Sequence, residues 1–237
     1  MSAAPSLGGA IAAGCALAAG LSLHGALHRN SPLFGRVITR LPGDARSVAL
    51  TFDDGPNPDA TPRILDVLAR EAVPASFFIL GRHAALWPAL VKRAGDEGHC
   101  LANHGYHHRK LHFKGPGYVR RDLELGTGAI VQASGGRHPR LFRAPHGFRS
   151  PWVSSIAHSL GQQVVGWSLG VWDSARPGVE EILRRTLDGT RPGSILLLHD
   201  GDGYDPRGDR LQTVEALPRI IDGLRRAGYT FSALPAS

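Results

Sequence analysis

The chain has 237 residues, 42% hydrophobic and 20% charged, which suits one globular domain with a sizeable core and no internal repeat. Its net charge of +7 favours anionic partners such as phospholipid headgroups or acidic glycans, but the arginines are scattered rather than interleaved with aromatics, so no nucleic-acid partner is expected. The 2 cysteines, Cys15 and Cys100, lack the spacing of a zinc or redox pair and supply no disulfide framework.

Residues 7–27 contain no Asp, Glu, Lys or Arg and match the ~20 residues needed to cross a bilayer core. Residues 1–6 lack the positive start of a signal peptide, and apolar sequence runs on past Cys15, against a lipoprotein. The expectation is an uncleaved membrane anchor with a linker (residues 1–40) ahead of a catalytic domain (residues 41–237). Arg29, Arg36 and Arg40 follow the segment, which places the domain on the cytoplasmic face, with a periplasmic or extracellular location as the alternative.

Beyond residue 40, short apolar runs alternate with helical patterns. Residues 47–52 read as a buried strand ending in Asp-Asp-Gly-Pro, a turn signal. Thr61-Pro62 then offers a helix N-cap and a proline at the first helical position, opening a helix to residue 71. Strands follow at 75–80, 99–103, 141–143, 163–168, 194–199 and 229–234, with helices at 84–97, 116–134, 151–160, 178–188 and 211–227. The alternation predicts an α/β fold with a mostly parallel sheet, and about seven strand–helix units suit a distorted barrel. Polar residues gather just after the strand ends: Asp53, Asp54, His104, Arg143, Asp173, His199 and Asp200. In parallel α/β folds that rim holds the active site.

Adjacent carboxylates at Asp53 and Asp54 would repel unless a cation sits beside them, although an Asx turn before Gly55 explains them equally well. His104 and His108, four residues apart, can converge on one ion, and with an aspartate they make a two-His, one-carboxylate site with open positions. Arg143 is suited to clamping a carboxylate. His199 closes the most apolar strand and is placed to donate a proton, with Asp173 or Asp200 as the acid favouring its charged form.

These residues resemble the polysaccharide deacetylase family (carbohydrate esterase family 4, the nodulation-factor deacetylase homology domain) from about Val48 to Leu234. Thr51 to Pro56 is similar to the family's first motif, Asn103 to His108 to its second and Arg143 to Gly147 to its third. Trp167 to Asp173 approaches the fourth and Leu197-Leu198-His199 the fifth. The resemblance implies Asp53 as catalytic base, Asp54, His104 and His108 as metal ligands, Arg143 against the base and His199 as general acid. It also implies the His146 amide as oxyanion donor. Asp173 is chosen as the partner of His199, and Leu197 with Trp167 or Trp172 as the wall of an acetyl pocket. Three positions depart from the pattern. Gly105 replaces a hydroxyl residue, Gly170 stands where many members carry an acid, and His146 where an aromatic is common.

The activity implied is metal-dependent removal of N-acetyl groups from an amino-sugar polysaccharide or glycolipid. Zn²⁺ is the expected ion, with Co²⁺ or Mn²⁺ as alternatives. Three rival readings remain at this point. One is deformylation or deacetylation of a lipid-linked sugar. Another is a serine esterase, because Gly166 to Gly170 matches GxSxG around Ser168. The last is a membrane-tethered glycan-binding domain without activity.

Overall fold

The computed structural model describes residues 7–43 and 46–235, with only the backbone of residues 7–14. Among the described residues there are eight strands: β1 (Ser47–Asp53), β2 (Ala75–Ile79), β3 (Cys100–Asn103), β4 (Leu141–Phe142), β5 (Gln163–Val164), β6 (Leu169–Gly170), β7 (Ile195–His199) and β8 (Thr230–Phe231). The helices are α1 (Leu7–Leu27), α2 (Thr61–Arg70), α3 (Gly81–Leu86), α4 (Pro88–Asp96), α5 (Pro116–Ser134), α6 (Val153–Ser159), α7 (Val179–Gly189) and α8 (Leu211–Arg226). The strands run in the order β5-β4-β3-β2-β1-β7-β6, all neighbours parallel, while β8 pairs with the first two residues of β1. This curled sheet with its helices is the expected distorted α/β barrel.

Alternation along the strands assigns each residue a side. Val48, Leu50 and Phe52 of β1, with Leu196 and Leu198 of β7, pack outward in the cluster that includes Ile64, Leu65 and Leu68 of α2 and Leu217, Ile220 and Ile221 of α8. Ala49 and Ile195 face the other way, into a second cluster with Phe78, Ala102, Leu141 and Val165. Thr51 and Asp53 continue that inner side of β1 toward its carboxyl end. Asp53 lies directly across from His199 in register, so two inward polar side chains stand at one rim above an apolar floor.

The elements differ from the sequence expectation at three places. The strand expected at 163–168 is two short ones, β5 and β6, separated by a crossing at Trp167. The helix expected at 84–97 begins earlier and breaks at Trp87, because Pro88 bars the preceding residue from helical geometry, and Trp87 has φ −130° and ψ 62°. Thr61 does not cap α2. It is the first helical residue, and its hydroxyl accepts the Asn57 N–H and donates to Asp200.

The stretch read as linker is stitched into the barrel. Ile38 bridges Val165 and Arg40 bridges Ser194, across the gap between the sheet's two edges. Asn30 donates to the Trp167 carbonyl at 2.9 Å, and Arg149 donates to the Ser31 carbonyl at 2.5 Å. In α1 the described leucines Leu17, Leu21, Leu23 and Leu27 are exposed. Among the described residues no helix is long and apolar enough to cross a membrane; the first eight side chains of the expected anchor lie outside them.

Candidate active site

The inward side of β1 meets a fully buried arginine. Arg143 follows β4 and donates from Nη1 to Asp53 Oδ1 at 2.6 Å and to Thr51 Oγ1 at 2.9 Å, and from Nη2 to the Gly166 carbonyl at 2.8 Å. Its guanidinium lies 3.8 Å from the Phe78 ring centroid. One cation thereby ties β1, β4 and the β5–β6 crossing together and fixes the Asp53 carboxylate. Thr51 was not singled out from sequence, although the period-two register from Asp53 was a signal available for it.

Asp54 leaves the strand with φ 73°, a left-handed conformation that turns its side chain away from that of Asp53. Its carbonyl accepts the His83 Nδ1–H at 2.8 Å, which holds the turn. Asp54 Oδ1 then faces His108 Nε2 at 3.1 Å and His104 Nε2 at 3.4 Å. Burial alone would raise the Asp54 pKa, but the two imidazoles outweigh it and hold the carboxyl well below its usual range.

His104 Nδ1 donates to the Arg143 carbonyl at 2.8 Å. A carbonyl only accepts, so Nδ1 keeps a proton, and it is Nε2 that presents a lone pair once the ring gives up its second proton. That lone pair points at Asp54 Oδ1, a buried oxygen without a hydrogen-bond partner of its own. Lone pairs facing one another in a buried pocket fit a cation among them. The three ligand atoms lie within 4.8 Å of one another, so Asp54, His104 and His108 form a two-His, one-carboxylate set suited to a divalent ion.

The loop carrying both histidines is pinned by residues that sequence reasoning missed. Asn103 Oδ1 accepts the Gly105 N–H at 2.8 Å, and its Nδ2 donates to the Leu123 carbonyl at 3.0 Å. Asp122, buried on α5, accepts the N–H of Tyr106 and of His107 as well as His107 Nδ1. Gly105 has φ +77°, and a Cβ there would come within 2.5 Å of Asp122 Oδ2. The departure at Gly105 is thus explained: a buried carboxylate occupies the space and satisfies the loop. Nothing near Asp122 in the chain marks it as different from an ordinary helical acid.

Across the rim, His199 Nδ1 donates to Asp173 Oδ1 at 2.8 Å, while the His199 N–H donates to Asp173 Oδ2 at 2.8 Å. Thr213 of α8 donates to the same carboxylate. Burial opposes charge on His199, but the Asp173 carboxylate outweighs it and raises the imidazole to about 9. Asp200, the other acid offered for this role, turns instead to Thr61, and burial pushes its carboxyl up to about 7.

His146 sits at φ 58°, with its ring 4.6 Å from that of His108 and Nε2 3.1 Å from the Tyr204 hydroxyl. Burial and the His108 and His104 charges lower its pKa to about 4, so the ring is neutral. A Cβ on Gly170 would meet Trp167 at 3.0 Å and Leu197 at 4.0 Å, so those two side chains flank Gly170 and fill the place of an acid. Trp172 is 70% exposed and lies at φ 58°.

The serine-esterase reading fails on position. Ser168 Oγ accepts the Ile195 N–H at 2.9 Å, at the start of β7, whereas His199 ends that strand about 13 Å away at the usual rise per residue. The chain after Ser168 continues into β6 and not into a helix.

The barrel with acids and histidines at its carboxyl rim defines a hydrolase built around a two-His, one-carboxylate metal site. A sequence model described as polysaccharide deacetylase matches residues 40–165. The chain is 41% identical over 215 residues to a chitooligosaccharide deacetylase of Bradyrhizobium sp. (strain ANU 289), covering 86% of this chain and 96% of that one. It is 36% identical to a peptidoglycan-N-acetylglucosamine deacetylase of Bacillus cereus, covering 83% and 90%. Among solved structures, a peptidoglycan N-acetylglucosamine deacetylase superposes with a TM-score of 0.78 at 32% identity, covering 84% of this chain and 91% of that one. The chain belongs to the polysaccharide deacetylase family, and the relatives named above are deacetylases of chitooligosaccharide and of peptidoglycan N-acetylglucosamine.

Proposed function

We propose that this protein hydrolyses the acetamide of N-acetylglucosamine units in an oligosaccharide or polysaccharide, with Zn²⁺ held by Asp54, His104 and His108. The observation that carries the reading is the juxtaposition of Asp53 and His199 in register, one braced by Arg143 and the other by Asp173, beside the ligand set. The bound ion supplies Lewis-acid polarisation of the acetyl carbonyl and lowers the pKa of water. Asp53, fixed by Arg143, removes a proton from the attacking water. His199, kept charged by Asp173, delivers its proton to the leaving amine nitrogen. The His146 amide serves the developing oxyanion. Leu197 and Trp167, which flank Gly170, face the acetyl methyl group.

The run of residues 7–27 without Asp, Glu, Lys or Arg, and the exposure of Leu17, Leu21, Leu23 and Leu27, support a second part of the proposal: the segment anchors the domain to a membrane. Co-flotation of the full chain with liposomes, lost on removal of residues 1–27, tests that part alone.

Acetate release from N-acetylglucosamine oligomers, with added Zn²⁺ and with chelator, tests the activity. Chelator-sensitive release is expected. Zinc binding without acetate release would overturn the substrate and direct attention to lipid-linked sugars, and absence of zinc binding would overturn the metal assignment.

A further inference from the structure

Aromatic rings continue outward from the metal site along one bank. His146 stacks on Phe148 at 6.1 Å, Phe148 meets His112 edge-on at 4.9 Å, and His112 lies 4.0 Å from Phe113. The series starts at His108, a metal ligand, whose ring is 4.6 Å from that of His146. It ends at Phe113, which is 86% exposed although it belongs to a well-anchored turn. Leu111, fully buried, plugs that turn into the cluster of Phe142 and Val153, and Trp152 Nε1 donates to the Lys114 carbonyl at 2.8 Å. A phenylalanine presented to water on a fixed backbone is placed to meet a partner at little ordering cost.

We infer that this strip, His146–Phe148–His112–Phe113, binds the sugars that neighbour the one at the metal, making Phe113 and Phe148 determinants of chain-length preference. The occupant follows from continuity: a glycan whose acetamide lies at Asp54 and His108 has its next units beside these rings, and aromatic faces suit the apolar C–H faces of pyranoses. Lys110 reaches over Phe148 at 5.8 Å and supplies a donor for sugar hydroxyls at the same place. No acid occurs between Glu97 and Asp122, so the bank repels sugars that carry a free ammonium and accepts acetylated ones. The inference rests on the deacetylase reading for what sits at the metal.

The test is calorimetric binding of N-acetylglucosamine dimer and hexamer to the full chain carrying Asp53→Asn and loaded with Zn²⁺, which retains ligand without consuming it. The hexamer is expected to bind about tenfold more tightly than the dimer. Phe113→Ala should cost the hexamer about five- to tenfold and the dimer less than twofold, and Phe113→Tyr should restore hexamer binding. The exposure of Phe113 leaves folding unaffected in both variants. Equal affinity for dimer and hexamer, or hexamer binding indifferent to Phe113→Ala, would overturn the strip. Acetate release by the unsubstituted chain reports separately on the deacetylase reading. Phe113-dependent hexamer binding without acetate release keeps the strip and discards the reaction.

Discussion

The floor of the site and its rim are built by opposite means. Asp53, Asp54, His104, His108 and Arg143 are all buried and stand on the ends of β1, β3 and β4 or the turns that leave them. Trp172, Tyr204 and Phe113 are 70%, 63% and 86% exposed and sit on loops. In the floor Asp53, Arg143 and His104 are held by partners from other segments at the strand ends, so geometry is set by the sheet. On the rim side chains are positioned by local turns and ring contacts, where sequence change is tolerated. Reaction chemistry therefore resides in the floor and choice of substrate in the rim.

The sharpest way to break this division is Asp53→Asn, expected to lower kcat about a thousandfold while zinc stays bound. It also leaves Arg143 as a buried cation without a countercharge, so urea denaturation should show a loss of about 3 kcal/mol. The double variant Asp53→Asn/Arg143→Met should regain much of that stability and none of the activity.

Asp173→Asn comes next, with a loss of about a hundredfold in kcat/KM. The pair keeps His199 protonated up to about 9, so the alkaline limb of the rate profile should move down in the variant. The sign for stability is the same. The pair's contribution is full below the ordinary histidine value of 6.5 and is lost as pH rises through about 9, which pH-dependent melting would follow.

Asp122→Ala asks whether the floor extends to α5. Zinc affinity, read by competition with a chelating dye, should fall about tenfold because the loop between His104 and His108 loses its anchor. Tyr204→Phe belongs to the rim and removes only the hydroxyl contact to His146. Steady-state rates within about twofold are expected, and a hundredfold loss would move Tyr204 into the floor.

The floor was legible in the sequence because its residues lie at strand ends and at short fixed spacings: Asp53-Asp54, His104 and His108, and Leu197 to His199. The alternation of apolar runs gave the barrel for the same reason. What escaped is contact between segments remote in the chain. Asp122 reaches the loop from a helix that shows only its own periodicity. Tyr204 meets His146 across a sequence separation of 58. The expected single helix over 84–97 overlooked Pro88, a signal that was present. The stretch before residue 41 resembled a linker because its pairing at Ile38 and Arg40 is one bridge each, too short to leave a period.

Arg143 carries a consequence for how such a protein can change over generations. Because one guanidinium joins Thr51, Asp53 and Gly166 in the interior, the base cannot be lost by drift at little cost: the first substitution weakens the barrel before any new role is gained. A descendant that abandons catalysis is expected to replace Arg143 along with Asp53. Purifying selection on folding thus guards the reactive carboxylate even in lineages where its chemistry is no longer under selection.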